Sequence, residues 1–214
     1  MGELPAGARA IPHNPRKNEE SMDSDSNGGC SRTPIEERLN VFALVAYIPD
    51  PLGRFLDDLR KELVPHCNPH AHVSVLPPRS LGVRWEQASA RVRTILEGWK
   101  PFDLELGGIR VFPVTDVVYI EVGAGAAELR RMHDTMNADS LAFQEPFPYY
   151  PHVTLAQEIP HQLLPELGEL ARRRWNEYRG RRAFCVERAM FVQNTLSDAW
   201  IDLAEFALGA VALR

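Results

Sequence analysis

The sequence predicts an α+β fold, two mainly antiparallel sheets flanked by helices around a central groove, and three observations carry that expectation. Short β-favouring apolar runs alternate with amphipathic helical stripes. Neighbouring β runs are joined by brief turn-forming stretches, Pro113 to Asp116 and Asn194 to Asp198, which make hairpins and argue against a doubly wound parallel sheet. The order strand, proline-bearing turn, helix, hairpin is written twice along the chain, so two halves of similar plan should pack as two lobes about one cleft.

The elements follow in order. Val41 to Ile48 is an apolar run of strand length stopped by Pro49. Asp50 as N-cap and Pro51 in the first turn open a helix whose face is Leu52, Phe55, Leu56, Leu59 and Leu63, ended by Pro65. His72 to Pro77 reads as a short strand, and Trp85, Ala88, Val92, Ile95, Leu96 and Trp99 as a second helix. Phe102 to Val111 and Val117 to Val122 form a hairpin with a bulge at Gly107 and Gly108. A third helix is placed over Ala126 to Ser140 on the stripe Leu129, Met132, Met136. His152 to Gln157 is the next short strand. A fourth helix runs from Leu163 to Tyr178, closed by Gly180, and Ala183 to Gln193 pairs with Trp200 to Phe206 in a final hairpin. Trp85, Trp99 and Trp175 belong to the core.

Composition removes several function classes. A net charge of −5 offers no global basic field for coating nucleic acid, so an anionic ligand needs a local site. Cys30, Cys67 and Cys185 are odd in number and widely spaced, which speaks against a disulfide framework and for a reducing, cytoplasmic setting. No run approaches the ~20 apolar residues of a membrane span. Residues 1–36, rich in Pro, Gly, Ser, Asn and acids, read as a disordered leader before a domain over 37–214. Patterns for nucleoside triphosphate, nicotinamide, acyl-serine or calcium chemistry are missing.

One phrase stands out against this background. His72-Val73-Ser74-Val75 is repeated, with a change of wording only, as His152-Val153-Thr154-Leu155. On a strand, residues two apart share a face, so His72 projects with Ser74 and His152 with Thr154 while the aliphatic residues face the core. Two imidazoles across one cleft supply a general base and a general acid near neutral pH. Two hydroxyls can hold the non-bridging oxygens of a phosphoryl group. A third instance, His133-Asp134-Thr135, lies on a helical stripe where such residues do not share a face, and is set aside as distant from the groove.

These paired motifs resemble the H-x-[ST] signature of the two-histidine (2H) phosphoesterase superfamily, and PYYPHVTLAQ resembles the second motif of its bacterial 2′-5′ RNA ligase-like and RNA 2′,3′-cyclic phosphodiesterase branch. The resemblance covers roughly residues 40 to 208. It implies a bilobal, pseudo-twofold fold with both motifs facing a central groove. It also implies cofactor-free, metal-independent chemistry on phosphodiesters, 2′,3′-cyclic phosphates or 2′-5′ linkages, in a monomer acting on RNA ends or small nucleotides. Ser74 departs from the commoner Thr of the first motif and keeps its hydroxyl.

Other residues have more than one reading. Tyr149, Tyr150 and Phe112 are candidates for stacking a nucleobase, or packed aromatics. Arg79, Arg110 and Arg188 are candidate phosphate neighbours, with solvation or ion pairing as the default, and Arg172 to Arg174 a solvated helix face. Two rival functions remain: a binding module of the same fold without turnover, and a zinc hydrolase built on His66, Cys67, His70 and His72. The second motif supplies no comparable cluster, and His70 more naturally flanks the groove.

Overall fold

The computed structural model describes residues 37–209. The anticipated leader, and Cys30 within it, lie outside the described residues. In chain order the elements are β1 (Arg38–Tyr47), α1 (Leu52–Leu63), β2 (His72–Arg79), α2 (Trp85–Leu96), β3 (Phe102–Phe112), β4 (Val117–Val122), α3 (Ala126–Met136), β5 (His152–Ala156), α4 (Leu164–Glu177), β6 (Ala183–Val186), β7 (Arg188–Thr195) and β8 (Trp200–Ala207). They form two four-stranded sheets, ordered β2-β1-β7-β8 and β5-β4-β3-β6, with every pairing antiparallel. The fold is α+β, and each motif strand is an edge of its sheet.

Several boundaries differ from the sequence reading for identifiable reasons. Helix α1 begins at Leu52 with Pro51 at the capping position; Asp50 acts from one residue further out, its Oδ1 accepting the Arg54 amide at 3.1 Å. Helix α3 stops at Met136 instead of reaching Ser140 because Asn137 leaves helical φ/ψ, and its Oδ1 accepts from Arg79 at 2.8 Å and from the Phe143 amide at 2.9 Å. Helix α4 ends at Glu177, where Tyr178 turns extended and lays its ring on Phe55 and Trp175, so Gly180 does not close it. The anticipated strand from Ala183 to Gln193 is two strands. The chain passes from one sheet to the other at Glu187, with β6 pairing β3 and β7 inserted between β1 and β8. An unbroken apolar run conceals such a crossing, since either sheet can bury it.

The crossing interlocks the halves. The hairpin after β2 joins the sheet of β5, and the hairpin after β5 joins the sheet of β2. Helix α3 packs on β2 while α1 packs on β5 and on α4, so each motif strand is backed by the other half's helix. A contiguous core fills the space, with Leu44, Leu56, Val73, Val75, Leu104, Ile120, Leu129, Met132 and Val153 all at 0% exposure. Burying each large aliphatic side chain contributes about 1.5–3 kcal/mol. The bulge between Leu106 and Ile109 falls at the two glycines, where the Gly107 carbonyl accepts the Trp175 indole N–H at 2.8 Å and fastens α4 to β3. Trp175 is buried, whereas Trp85 and Trp99 are only partly covered.

Gly125 opens α3 at φ +82°, and a Cβ there would collide with the Asp103 carbonyl and the Leu104 side chain. Gly125→Ala is therefore expected to lower unfolding free energy by about 1–3 kcal/mol in a denaturant titration; an unchanged midpoint would contradict the packing of this turn.

Candidate active site

The two motif strands carry the same burial pattern: His72, Ser74, His152 and Thr154 are half-buried, while Val73, Val75, Val153 and Leu155 are essentially inaccessible. Strand β2 lies against β5, and all four polar residues line one groove of about 1380 Å³. Each imidazole is aimed in the same way. His72 Nδ1 meets the His70 carbonyl and His152 Nδ1 the Tyr150 carbonyl, both at 2.7 Å. A carbonyl only accepts, so the neutral rings carry hydrogen on Nδ1 and keep the Nε2 lone pair.

Burial pushes the His72 pKa down to about 4, opposed by the His70 carbonyl and reinforced by positive charge at Arg60, His70 and His152. Burial also lowers His152, opposed only by the Tyr150 carbonyl. Both rings are neutral at pH 7 in the free protein.

The walls differ between the halves. On the first-motif side Ala43, Val45 and Val192 make an aliphatic floor, with Tyr47 donating its hydroxyl to Asp202 at 2.6 Å and stacking on exposed His70 at 3.5 Å. On the second-motif side the edges of Phe112 and Tyr119 approach His152 at 5.0 and 5.5 Å between ring centres, and Tyr150 stands against both aromatics. Val114, Phe147, Tyr150 and Trp200 are exposed apolar residues on the groove rim.

Tyr149 is differently placed from Tyr150. Its hydroxyl donates to the Ser74 carbonyl at 2.6 Å, and one ring face stacks on His133 at 4.0 Å. His133 Nε2 meets Glu145 at 2.9 Å, and Glu145 pairs with Arg79, which is almost wholly buried. His133 is thus helical and absent from the groove lining, but it is not remote: it backs a groove residue that ties the second motif's approach to the first motif's backbone.

Arg79, Arg110 and Arg188 are ion-paired with Glu145, Glu121 and Glu205, and none lines the groove. Arg172 pairs with Glu169 and Arg174 with Glu62 on the outer face of α4. Among the described residues no three His, Cys, Asp or Glu side chains converge as a metal-holding group, so His66, Cys67, His70 and His72 do not form the ligand set that their spacing allowed. The residue missed by sequence reading is Arg60, on the α1 face of Leu56 and Leu63, which lines the groove. The signal was available: a charge interrupting an apolar helical stripe.

An α+β body presenting two matched strands across a groove has the architecture of the two-histidine phosphoesterases. Residues 48–195 match the family described as the 2′-5′ RNA ligase superfamily, and the chain belongs to it. The chain is 42% identical over 77 residues to an RNA 2′,3′-cyclic phosphodiesterase of Aeropyrum pernix, a match spanning 33% of this chain and 44% of that relative. Escherichia coli LigT crystallised with NADP+ superposes with a TM-score of 0.53 at 16% identity, covering 80% of this chain and 97% of that one. LigT with 3′-AMP superposes at 0.52 and 15%, covering 80% and 98%. At such identities the likeness shows the fold.

Nitrogen NMR of the free protein is expected to report both imidazoles as the Nδ1–H form at pH 7, with His72 gaining its second proton only near pH 4. Titration of His72 near the ordinary value of about 6.5 would contradict the burial argument.

Proposed function

We propose that this protein is a metal-independent phosphodiesterase that opens 2′,3′-cyclic phosphates or cleaves 2′-5′ linkages at RNA ends or in small nucleotides. The observation that carries the reading is the matched pair of edge strands, each offering a free Nε2 and a hydroxyl to one groove. Membership of the 2′-5′ RNA ligase superfamily supports it. So does the name of the Aeropyrum pernix relative.

Ser74 and Thr154 donate hydrogen bonds to the non-bridging phosphate oxygens, holding phosphorus between the imidazoles. His72, beside a permanent cation, stays neutral and takes a proton from water as the water oxygen attacks phosphorus. The bond from phosphorus to one ribose oxygen breaks, and that oxygen receives the proton of His152. The product is a phosphomonoester beside a free hydroxyl, and the proton left on His72 returns to His152 through solvent. His152 is the acid because burial alone disfavours its charged form, and the bound phosphate's negative charge offsets that cost. Ligation is the same path with a ribose hydroxyl attacking the cyclic phosphate in place of water, and it keeps the two roles; its reversal, in which the neighbouring ribose hydroxyl attacks the new linkage to re-form the cyclic phosphate, exchanges them. Tyr150 and Phe112 offer aromatic surface to the nucleobase, and Tyr149 acts as a wall and tether because its hydroxyl is already engaged.

Purified protein should hydrolyse nucleoside 2′,3′-cyclic phosphates or 2′-5′-linked dinucleotides in EDTA, with His72→Ala and His152→Ala each lowering turnover about 10²- to 10⁴-fold. Ser74→Ala and Thr154→Val should cost about 1–3 kcal/mol of transition-state stabilisation each. Activity abolished by the chelator would replace this reading with a metal hydrolase; tight binding without turnover would replace it with a binding module.

The pH profile of kcat/KM should be bell-shaped. His72 must be neutral, so activity rises as pH climbs through about 4. His152 must be protonated, and its depressed pKa makes activity fall on the acid side of the ordinary histidine value of about 6.5. The alkaline limb of kcat should lie higher, because bound phosphate raises His152. Coincident alkaline limbs would contradict this coupling.

A further inference from the structure

We infer that Arg60 supplies the permanent positive charge that draws the substrate's phosphate into the groove and holds it on the His72 side, an assignment that rests on the phosphodiesterase reading above. Arg60 is the one lysine or arginine among the described residues that line the groove. It sits in the last turn of α1, between the buried Leu56 and Leu63, so its stem is held by packing and its head is directed by the helix.

Its guanidinium is unmatched. Among the described residues Arg60 takes part in no ion pair, and its Nε is shielded from water without a hydrogen-bond partner. Asp57, one turn earlier, exerts an attraction but stands outside ion-pair distance, and its own Oδ1 is also unpartnered. The carboxylates that line the groove do not serve Arg60: Glu145 is paired with Arg79 and His133, Asp202 accepts from Tyr47, Asp198 accepts from Asn194, and Glu158 follows β5 in the other half. A half-buried charge without a counter-charge destabilises the free fold, and such a group is retained where a ligand completes the pair.

The remaining groove chemistry requires this charge. Both imidazoles are neutral in the free protein, and four carboxylates line the same groove. Without Arg60 a phosphodiester monoanion would meet a net negative field with only hydroxyls to hold it. A guanidinium presents a fork of donors to phosphate oxygens, which a neutral imidazole cannot do. The same charge adds to the burial that keeps His72 unprotonated, consistent with His72 as the base.

The test is thermal unfolding and calorimetric binding of wild type, Arg60→Met and Arg60→Lys with three probes: inorganic phosphate, adenosine 2′-monophosphate and adenosine. Arg60→Met keeps the unbranched stem and removes the charge. The free variant should unfold at a higher temperature than wild type, its affinity for both phosphate probes should fall on the order of 10- to 100-fold, and its affinity for adenosine should be unchanged. Arg60→Lys should recover part of the phosphate affinity. A lowered unfolding temperature with phosphate affinity intact would make Arg60 a structural residue and overturn the inference. Phosphate binding that depends on Arg60 in a protein without phosphodiesterase turnover would uphold the inference and overturn the functional reading. Turnover that Arg60→Met leaves unchanged would do the reverse.

Discussion

The site depends on the reciprocal backing of two edge strands. β2 is supported by α3 and β5 by α1, so neither motif is built by its own half of the chain alone. The Tyr149 hydroxyl on the Ser74 carbonyl adds a direct tie between the approach to the second motif and the backbone of the first. Behind both strands the alternate residues Val73, Val75, Val153 and Leu155 are locked in the core, and a slip of one residue would bury the imidazoles. The separation of the imidazoles is thus a property of the whole packed body, the arrangement that acid–base chemistry on a single phosphorus needs.

The electrostatics follow from the same burial. Taking two imidazoles most of the way out of water disfavours their charged forms, and the carbonyls of His70 and Tyr150 orient them without supplying full compensating charge. The free groove therefore holds two bases and no acid. In the proposed mechanism a bound phosphate restores the charged form of one ring, so that protonation of the acid would follow from substrate binding. Arg60 adds to the burial that holds His72 neutral and acts on that ring and not on His152.

Much of this was legible in the sequence, and what was not has a local cause. The alternation of periodicities gave the α+β class and the four α-helices, because each stripe faces one core. The repeated His-x-hydroxyl phrase was readable because strand geometry converts spacing of two directly into a shared face. The strand change at Glu187 was hidden, since pairing partners are chosen by the sheets and not by the run itself. Asn137 ended α3 early through a side-chain contact with Arg79, 58 residues away in sequence. The helical setting of His133 was legible in its stripe, yet its stacking on Tyr149 depends on where α3 docks. Arg60 left a trace, a charge within an apolar stripe, whose meaning needed the groove to be seen.

The central claim is that His72 and His152 work as one acid–base unit on one phosphate. A double-mutant cycle with His72→Ala, His152→Ala and the combined variant, assayed on a nucleoside 2′,3′-cyclic phosphate with folding checked by circular dichroism, tests it most directly. If the two act together, the double variant should be little slower than the slower single variant, because either loss already disables the shared step. Losses that multiply, with the double variant slowed by the product of the two single effects, would show independent roles and contradict the account.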